Sequence, residues 1–180
     1  MPPELKALRE TLKRTQKLSV RFKQSRHWAA LQDTLVTEGS LRYQKGGTLV
    51  WHTDPPSEST LTLEGRVATL STPGLGTRET VDLNADPGMA RVFDSIGAVL
   101  QADLESLQPL FSIRVVRRTS PLELELIPKG AELAKTVKRI GLTFQSSGDQ
   151  QRLTTVLLEE GGGDRTEIAF FDHQIVAVHR

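Results

Sequence analysis

The sequence contains no cysteine, so it can form neither a disulfide bond nor a thiolate metal site. Its four histidines, His27, His52, His173 and His179, do not have the spacing of metal ligands. A Gly-x-Ser-x-Gly motif is absent, and no pair of carboxylates is marked out as a general acid and base. We therefore expect no metal and no cofactor, and a protein that is not an enzyme.

Long apolar runs are also missing. No stretch approaches the length of a membrane-spanning helix, and the N-terminal sequence MPPELKALRE lacks the apolar core of a signal peptide. The chain is therefore expected to be either a cytosolic protein or the processed form of an exported one. Its 180 residues are close to the size of one domain, so we predict a single domain over residues 1–180.

Large apolar side chains are few: the chain has six Phe, two Trp and one Tyr. Such a composition covers a cavity more readily than it fills a solid core. The net charge is only +1, and the basic residues are concentrated in residues 1–26. That segment is either a solvated helix face or a surface that touches an anionic partner. Because it has few aromatic residues among its basic ones, nucleic-acid binding is not expected.

The apolar spacing predicts one helix followed by many strands. Leu5, Leu8 and Leu12 recur at helical intervals, which indicates a helix over residues 2–17. A period of two then begins at Leu18 and predicts strands over 18–23, 34–43, 49–51, 60–63, 67–72 and 77–83. We expect Glu64-Gly65 to form a tight hairpin turn.

A second helix is predicted in the middle of the chain. The apolar residues from Met89 to Leu100 fall at helical spacing, and a short helical piece over 102–107 follows. Strands resume over 111–117, 122–126, 140–144, 153–158 and 166–170, with a helical turn over 131–136. These ten or eleven strands predict an α+β, mainly β protein built on a strongly curved antiparallel sheet.

An antiparallel sheet with one apolar face must cover that face. Two short helices against ten or eleven strands would leave an incompletely filled interior, which favours a ligand cavity. The alternative is that Tyr43, Trp51, Phe93 and Phe144 simply fill the space. The pattern of residues leaves both possibilities open.

Several motifs then occur in a characteristic order. Phe22-x-Gln24 opens a strand, Gly39-Ser-Leu41-x-Tyr43 follows, and a strand ending in Trp51 stops at Pro55-Pro56. Further along are Leu124-x-Leu-Ile-Pro-Lys129 and the segment AKTVKRIGLTF over residues 134–144. This order resembles the outer-membrane lipoprotein carrier proteins, the LolA family. The resemblance implies an open, unclosed β-barrel that shelters acyl chains beneath a helical lid.

The resemblance also implies site residues. Leu49 and Trp51 stand at cavity positions of the family, and the lid helix would be the one over residues 89–100. Lys45 stands where the family has the arginine that latches the lid. With the apolar faces of the helix and strands, the predicted lipid-binding residues are Leu12, Phe22, Leu41, Tyr43, Leu49, Trp51, Leu61, Leu63, Val92, Phe93, Ile96, Leu100 and Ile113.

The implied function is that of a periplasmic carrier, a monomer that holds lipoprotein acyl chains or related lipids for transfer towards the outer membrane. An inner-membrane donor complex and an outer-membrane acceptor would be its partners. Two alternatives in binding remain open: a LolA-like binder of another acyl or polyene compound without lipoprotein handover, and an interaction module with a fully packed interior. An enzyme acting on lipids is the alternative from another class, and it would need a polar pair facing the cavity.

Overall fold

The computed structural model describes residues 3–85, 97–99 and 104–178. Within these ranges the chain forms eleven strands, and their bounds are β1 Thr15–Trp28, β2 Asp33–Gln44, β3 Thr48–Thr53, β4 Ser59–Glu64, β5 Val67–Thr72, β6 Thr77–Asp82, β7 Phe111–Arg117, β8 Leu122–Pro128, β9 Val137–Ser147, β10 Gln150–Glu160 and β11 Arg165–Ala177. The helical elements are α1 Pro3–Lys13, a 3-10 turn Pro73–Leu75, α2 Leu104–Leu107 and α3 Ala131–Thr136.

All eleven strands belong to one antiparallel sheet in the order β6-β5-β4-β3-β2-β1-β11-β10-β9-β8-β7. The first and last strands therefore lie side by side in its middle. The two edges are β6 and β7, which follow one another in the chain but do not pair, so the sheet stays open. Residues 83–110 connect these edges. The open, mainly β antiparallel architecture and the number of strands confirm the predicted fold class.

β1 is the central strand and is longer than predicted. It pairs with β2 from Lys17 to Trp28 and with β11 from Thr15 onwards. The prediction that α1 reaches residue 17 is therefore wrong: the helix ends at Lys13, soon after the last leucine of its apolar stripe. Beyond that point Thr15, which is β-branched, pairs across the sheet with Ala177.

Other boundaries also differ from the sequence predictions. The β4–β5 hairpin turns at Gly65-Arg66, because Glu64 itself pairs with Val67. β11 continues past residue 170 to Ala177. The helical piece predicted over 102–107 is present as α2, and residues 97–99 are helical. The remainder of the predicted lid helix over 89–100 lies outside the described residues.

We call the face of the sheet that carries the buried residues its inner face. α1 covers the part of this face formed by β7, β8, β9 and β10. Its buried leucines share one cluster with residues of α2, β7, β8 and β9, namely Leu5, Leu8, Leu12, Leu104, Leu107, Phe111, Leu122, Leu124, Leu126, Leu142 and Phe144. Burial of each such side chain contributes about 1.5–3 kcal/mol, so this cluster fixes α1 to the sheet.

The opposite face of β7–β10 carries a row of alternating charges. Arg114 pairs with Glu125, Arg139 bridges Glu125 at 2.7 Å, and the same guanidinium reaches Glu159 at 2.6 Å. Hydrogen bonds from Arg114 and Arg139 hold the pKa of Glu125 below its ordinary value, and Arg139 does the same to the pKa of Glu159. This row links four neighbouring strands on the solvent side.

Candidate functional site

A second apolar cluster lies on the inner face of β1, β2, β3 and β11. Its buried members are Val20, Phe22, Leu41, Leu49 and Phe170. Alternation places them there, because successive side chains of a strand point to opposite faces. Leu153 and Val156 of β10 contact both this cluster and the one beneath α1. The two clusters therefore meet along β10.

A pocket opens where the two clusters meet. Its volume is about 430 Å³, which includes space open to solvent. The enclosed part is only about 20 Å³, room for one or two water-sized groups, so the pocket is a narrow cleft that is largely open to solvent. The lining is mostly apolar and comes from α1, β1, β2, β9, β10 and β11. It consists of Leu12, Thr15, Leu18, Val20, Leu41, Phe144, Gln151, Arg152, Leu153, Phe170, His173 and Ile175.

The pocket lies where β10 and β11 separate. Their ladder runs from Glu159 only as far as Thr155, opposite Ala169, so residues 150–153 pair with β9 alone. β11 has an irregularity at the same level: its register against β1 shifts between Ser19 and Arg21. The gap leaves apolar side chains of the inner face accessible between two strands.

His173 bridges part of this gap. Its Nε2 lies 2.8 Å from the carbonyl oxygen of Leu153, which β11 no longer reaches with a backbone N–H in this region. Since a carbonyl only accepts hydrogen bonds, Nε2 carries the proton. The side chain of His173 thus holds β10 and β11 at a fixed distance beside the pocket.

Two polar atoms at the same end of the pocket have no partner. Gln151 donates from Nε2 to Ser146 Oγ at 2.8 Å, yet its Oε1 is buried and accepts nothing. The Nε of Arg152 is buried and donates to nothing. Buried polar groups in folded proteins are nearly always hydrogen-bonded, so each of these two atoms could accept or donate a hydrogen bond to a ligand. Gln151 and Arg152 are successive residues of β10, so their side chains leave the strand on opposite faces, at the point where it separates from β11.

The chain can now be compared with known proteins. A sequence profile described as "Outer membrane lipoprotein carrier protein LolA-like" matches residues 5–173. The chain belongs to this LolA-like family. Its curated relatives include proteins named outer-membrane lipoprotein carrier protein from Pseudomonas fluorescens, 24% identical over 94% of this chain and 76% of the relative, and from Pseudomonas aeruginosa, 26% identical over 89% and 72%.

Solved structures agree on the fold. The lipoprotein LppX of Mycobacterium tuberculosis aligns with a TM-score of 0.53 at 6% identity and covers 94% of this chain and 92% of its own. The complex of MucA and MucB from Pseudomonas aeruginosa aligns with a TM-score of 0.51 at 15% identity, covering 98% of this chain and 57% of the other. At such identities the likeness concerns the fold alone.

The structure distributes the predicted lipid-binding residues of this LolA-like chain over both clusters. Leu41 and Leu12 line the pocket itself. Phe22 and Leu49 are buried in the cluster of β1–β3, with Tyr43, Trp51 and Leu63 packed against it. Leu61 contacts the small cluster of Ala68 and Leu83, and Ile113 contacts the cluster beneath α1. Val92, Phe93, Ile96 and Leu100 lie outside the described residues. The assignment of the whole set to lipid binding stays a prediction.

Trp51 joins the aromatic side chains of the second cluster. Its ring centroid lies 4.5 Å from that of Phe22, and the Phe170 ring meets it edge-on at 6.3 Å. Such pairs contribute about 0.5–1.5 kcal/mol beyond the area they bury. Tyr43 packs against the same cluster, and its burial raises the pKa of its hydroxyl. These rings form an apolar wall next to the pocket.

Lys45 contacts α1. Its Nζ donates to the carbonyl oxygen of Lys13 at 3.0 Å, and its backbone N–H donates to Gln16 at 2.9 Å. A lysine there satisfies a carbonyl that the end of a helix leaves without an intrahelical partner. The side chain of Lys45 thus holds the last turn of α1 against the start of the β2–β3 turn, next to the pocket residue Leu12. Its predicted role as the latch of the lid involves residues outside the described ranges and stays a prediction.

Sequence reasoning missed the β10 and β11 side of the pocket. His173 and Ile175 were not predicted as site residues, because β11 was expected to end at residue 170. Gln151 and Arg152 were not predicted either, because β10 was expected to begin at residue 153. A signal was present: the alternation of Ile168 and Phe170 breaks at Asp172 and resumes at Ile175. Asp172 indeed adopts a positive φ of 53° at this irregularity.

Among residues 3–85, 97–99 and 104–178, no three His, Asp or Glu side chains are grouped as a metal site would require. In the same ranges no helix combines the length and the hydropathy needed to cross a membrane.

Proposed function

We propose that this LolA-like protein is a periplasmic carrier that holds acyl chains of lipoproteins or of related lipids in the pocket of its inner face. The observation that carries the proposal is the pocket itself, an apolar space between two apolar clusters, accessible where β10 and β11 separate. The names of its curated relatives, outer-membrane lipoprotein carrier proteins, support the same cargo class.

In the proposed mechanism the protein binds and releases its cargo noncovalently and catalyses no reaction. Each methylene moved from water into the pocket contributes about 0.8 kcal/mol, so even part of an acyl chain is held. The apolar lining supplies no hydrogen bond along most of its length, and the affinity therefore grows with the buried chain length. A carrier must also release its cargo, which favours a pocket that shelters part of a chain over one that encloses it.

α1 is the element we propose to respond to the cargo. Leu12 lines the pocket from one side, and the helix is held at its end by Lys45. The remaining predicted lipid-binding residues of β1–β4 would extend the apolar surface beyond the pocket as longer chains enter. In this proposal residues 1–180 act as one lipid-binding domain and as a monomer.

Transfer requires partners on both sides of the periplasm. We propose an inner-membrane donor that delivers the lipid and an outer-membrane acceptor that takes it. The solved complex of MucA and MucB concerns two other proteins, one of which shares this fold. It supports the view that the fold is compatible with protein partners.

Native mass spectrometry of protein purified under mild conditions tests the proposal. A co-purifying acylated species, displaced by an added fatty acid, is the expected result. A lipoprotein or its acylated N-terminus would identify the carrier function, and a free acyl or polyene compound would identify a binder without lipoprotein handover. Absence of any bound species, together with no binding of a hydrophobic fluorophore, contradicts acyl binding altogether.

A further inference from the structure

The polar end of the pocket carries a second inference. Of the twelve lining residues, none is acidic, and Arg152 is the one with a permanent charge. Gln151 and His173 lie at the same end. An apolar pocket with one cationic end matches the distribution of polarity in an amphiphile, which has an apolar chain and a polar head.

The guanidinium of Arg152 has one buried N–H group without a hydrogen-bond acceptor. Its Nε is buried and has no hydrogen-bond partner, and no carboxylate of the described residues forms an ion pair with it. The arginines of the two strands beside β10 differ: Arg139 on β9 lies between two glutamates, and Arg165 on β11 contacts Glu167 at 3.5 Å. A buried donor without a partner is costly, and the cost is removed when an anion pairs with it.

We propose that Arg152 binds the anionic head, a carboxylate or a phosphate, of an amphiphile whose acyl chain lies in the pocket. This inference rests on the proposed function, because it requires the chain to be bound. The guanidinium is a planar fork whose N–H groups match the oxygens of these anions.

The position of Arg152 adds selectivity to the affinity of the apolar lining. Its contact with an anion is partly shielded from water, which strengthens the attraction relative to an exposed pair. A cationic head at the same place meets a like charge, and no acidic residue lines the pocket to offset it. The pocket should therefore prefer an anionic amphiphile to a neutral one, and a neutral one to a cationic one, at equal chain length.

Binding of three probes of equal chain length tests this order: dodecanoate, dodecanol and dodecyltrimethylammonium, each competing with a hydrophobic fluorophore. For the unmodified protein we expect dodecanoate to bind at least about tenfold more tightly than dodecanol, as one charge-assisted hydrogen bond implies. Arg152→Gln should bring the ratio of the two affinities close to one. Arg152→Lys should keep part of the preference.

Arg78→Gln is the matched control, since Arg78 is an exposed strand arginine on β6 outside the pocket lining. It should leave all three affinities unchanged. If Arg152→Gln does not fold, the preference of the unmodified protein and the effect of Arg152→Lys still decide. Equal affinities for dodecanoate and dodecanol in the unmodified protein overturn the role of Arg152.

The outcomes separate this inference from the proposed function. Failure of dodecanoate and dodecanol alike to bind contradicts acyl binding, whereas tight binding of both without preference contradicts only the head-group site. Inorganic phosphate is the remaining probe, and we expect it not to compete at millimolar concentration. Competition by phosphate as strong as that by dodecanoate would overturn the proposal, because the site would then bind a free anion.

Discussion

Phe22 and Gly39 lie opposite one another on β1 and β2, and the ring of Phe22 occupies the space that a side chain at residue 39 would need. A Cβ built on Gly39 would lie 2.7 Å from Cζ of Phe22 and 1.9 Å from the carbonyl oxygen of His52 on β3. Gly39 is therefore fixed by close approach of its neighbours, and it allows Phe22 to reach Trp51 in the apolar wall beside the pocket.

Gly39→Ala should destabilise the fold, because the added methyl group meets backbone of β3 as well as the Phe22 ring. We expect a loss of about 2 kcal/mol or more in the free energy of unfolding, the upper part of the usual range for overpacking. Chemical denaturation measures it. Gly162→Ala is the control, since nothing lies within 4 Å of its added methyl group. Equal stability of the two variants would contradict the close approach.

The sequence predicted the parts of the fold that depend on local alternation. Leu124 and Leu126 flank Glu125 in a strand half exposed to water, and the structure buries the two leucines. α3 occupies the predicted residues 131–136. Local pattern determines such elements, because the period of two or 3.6 is itself what the buried face requires.

The pocket depends on long-range pairing, which no local pattern contains. β1 and β11 are adjacent although almost the whole chain separates them, and the gap beside β10 lies at the level of a register shift in that pairing. The family resemblance directed attention to the strands around Trp51, whose role in lipid binding stays a prediction. It contributed nothing on Arg152 or His173, because their position follows from where two distant strands separate.

Lys45→Met should loosen the end of α1. The variant loses the hydrogen bond from Nζ to Lys13 and a charge at the C-terminal end of the helix, an effect of about 0.3–1 kcal/mol. We expect faster hydrogen exchange in the last turn of α1 and faster ligand dissociation, with little change in overall stability. Lys17→Met is the control, because Lys17 is exposed on β1 and its side chain has no hydrogen bond or ion pair among the described residues. Identical hydrogen exchange in the last turn of α1 in both variants would contradict this role of the Lys45 hydrogen bond.

Arg139→Gln should lower stability at neutral pH and lose its effect in acid. The pKa of Glu125 and of Glu159 is held below the ordinary value of 4.5, so their pairing with Arg139 stabilises the fold above about that pH. As the pH falls through the lowered pKa values, both carboxylates become protonated and the contribution disappears. We expect a difference of about 1 kcal/mol between variant and parent at pH 7, and a much smaller one at pH 2 to 3.

Chemical denaturation at both pH values measures this difference. Arg165→Gln provides the control, because Arg165 reaches Glu167 at only 3.5 Å and both side chains are about half exposed. Its effect should be small at either pH. A difference for Arg139→Gln that stays constant from neutral to acid pH would contradict the charge row as its cause.

Leu18→Trp should block the pocket while leaving the sheet in place. Leu18 lines the pocket, pairs with Tyr43 and Ile175 in the ladders of β1, and is only partly buried, so the backbone can retain its position around a larger ring. We expect binding of acyl probes to weaken by about tenfold or more, equivalent to about 1.4 kcal/mol. Dodecanoate and dodecanol should be affected alike, since the ring fills the space of the chain and leaves Arg152 in place.

Leu35→Trp is the matched control for this variant. Leu35 lies on β2, is 41% exposed and does not line the pocket, so the same change of side chain there should leave binding intact. Thermal unfolding of both variants checks that neither has lost the fold. If Leu18→Trp binds both probes as tightly as the parent protein, the acyl chain lies elsewhere on the inner face, and the pocket between the two apolar clusters is not the site.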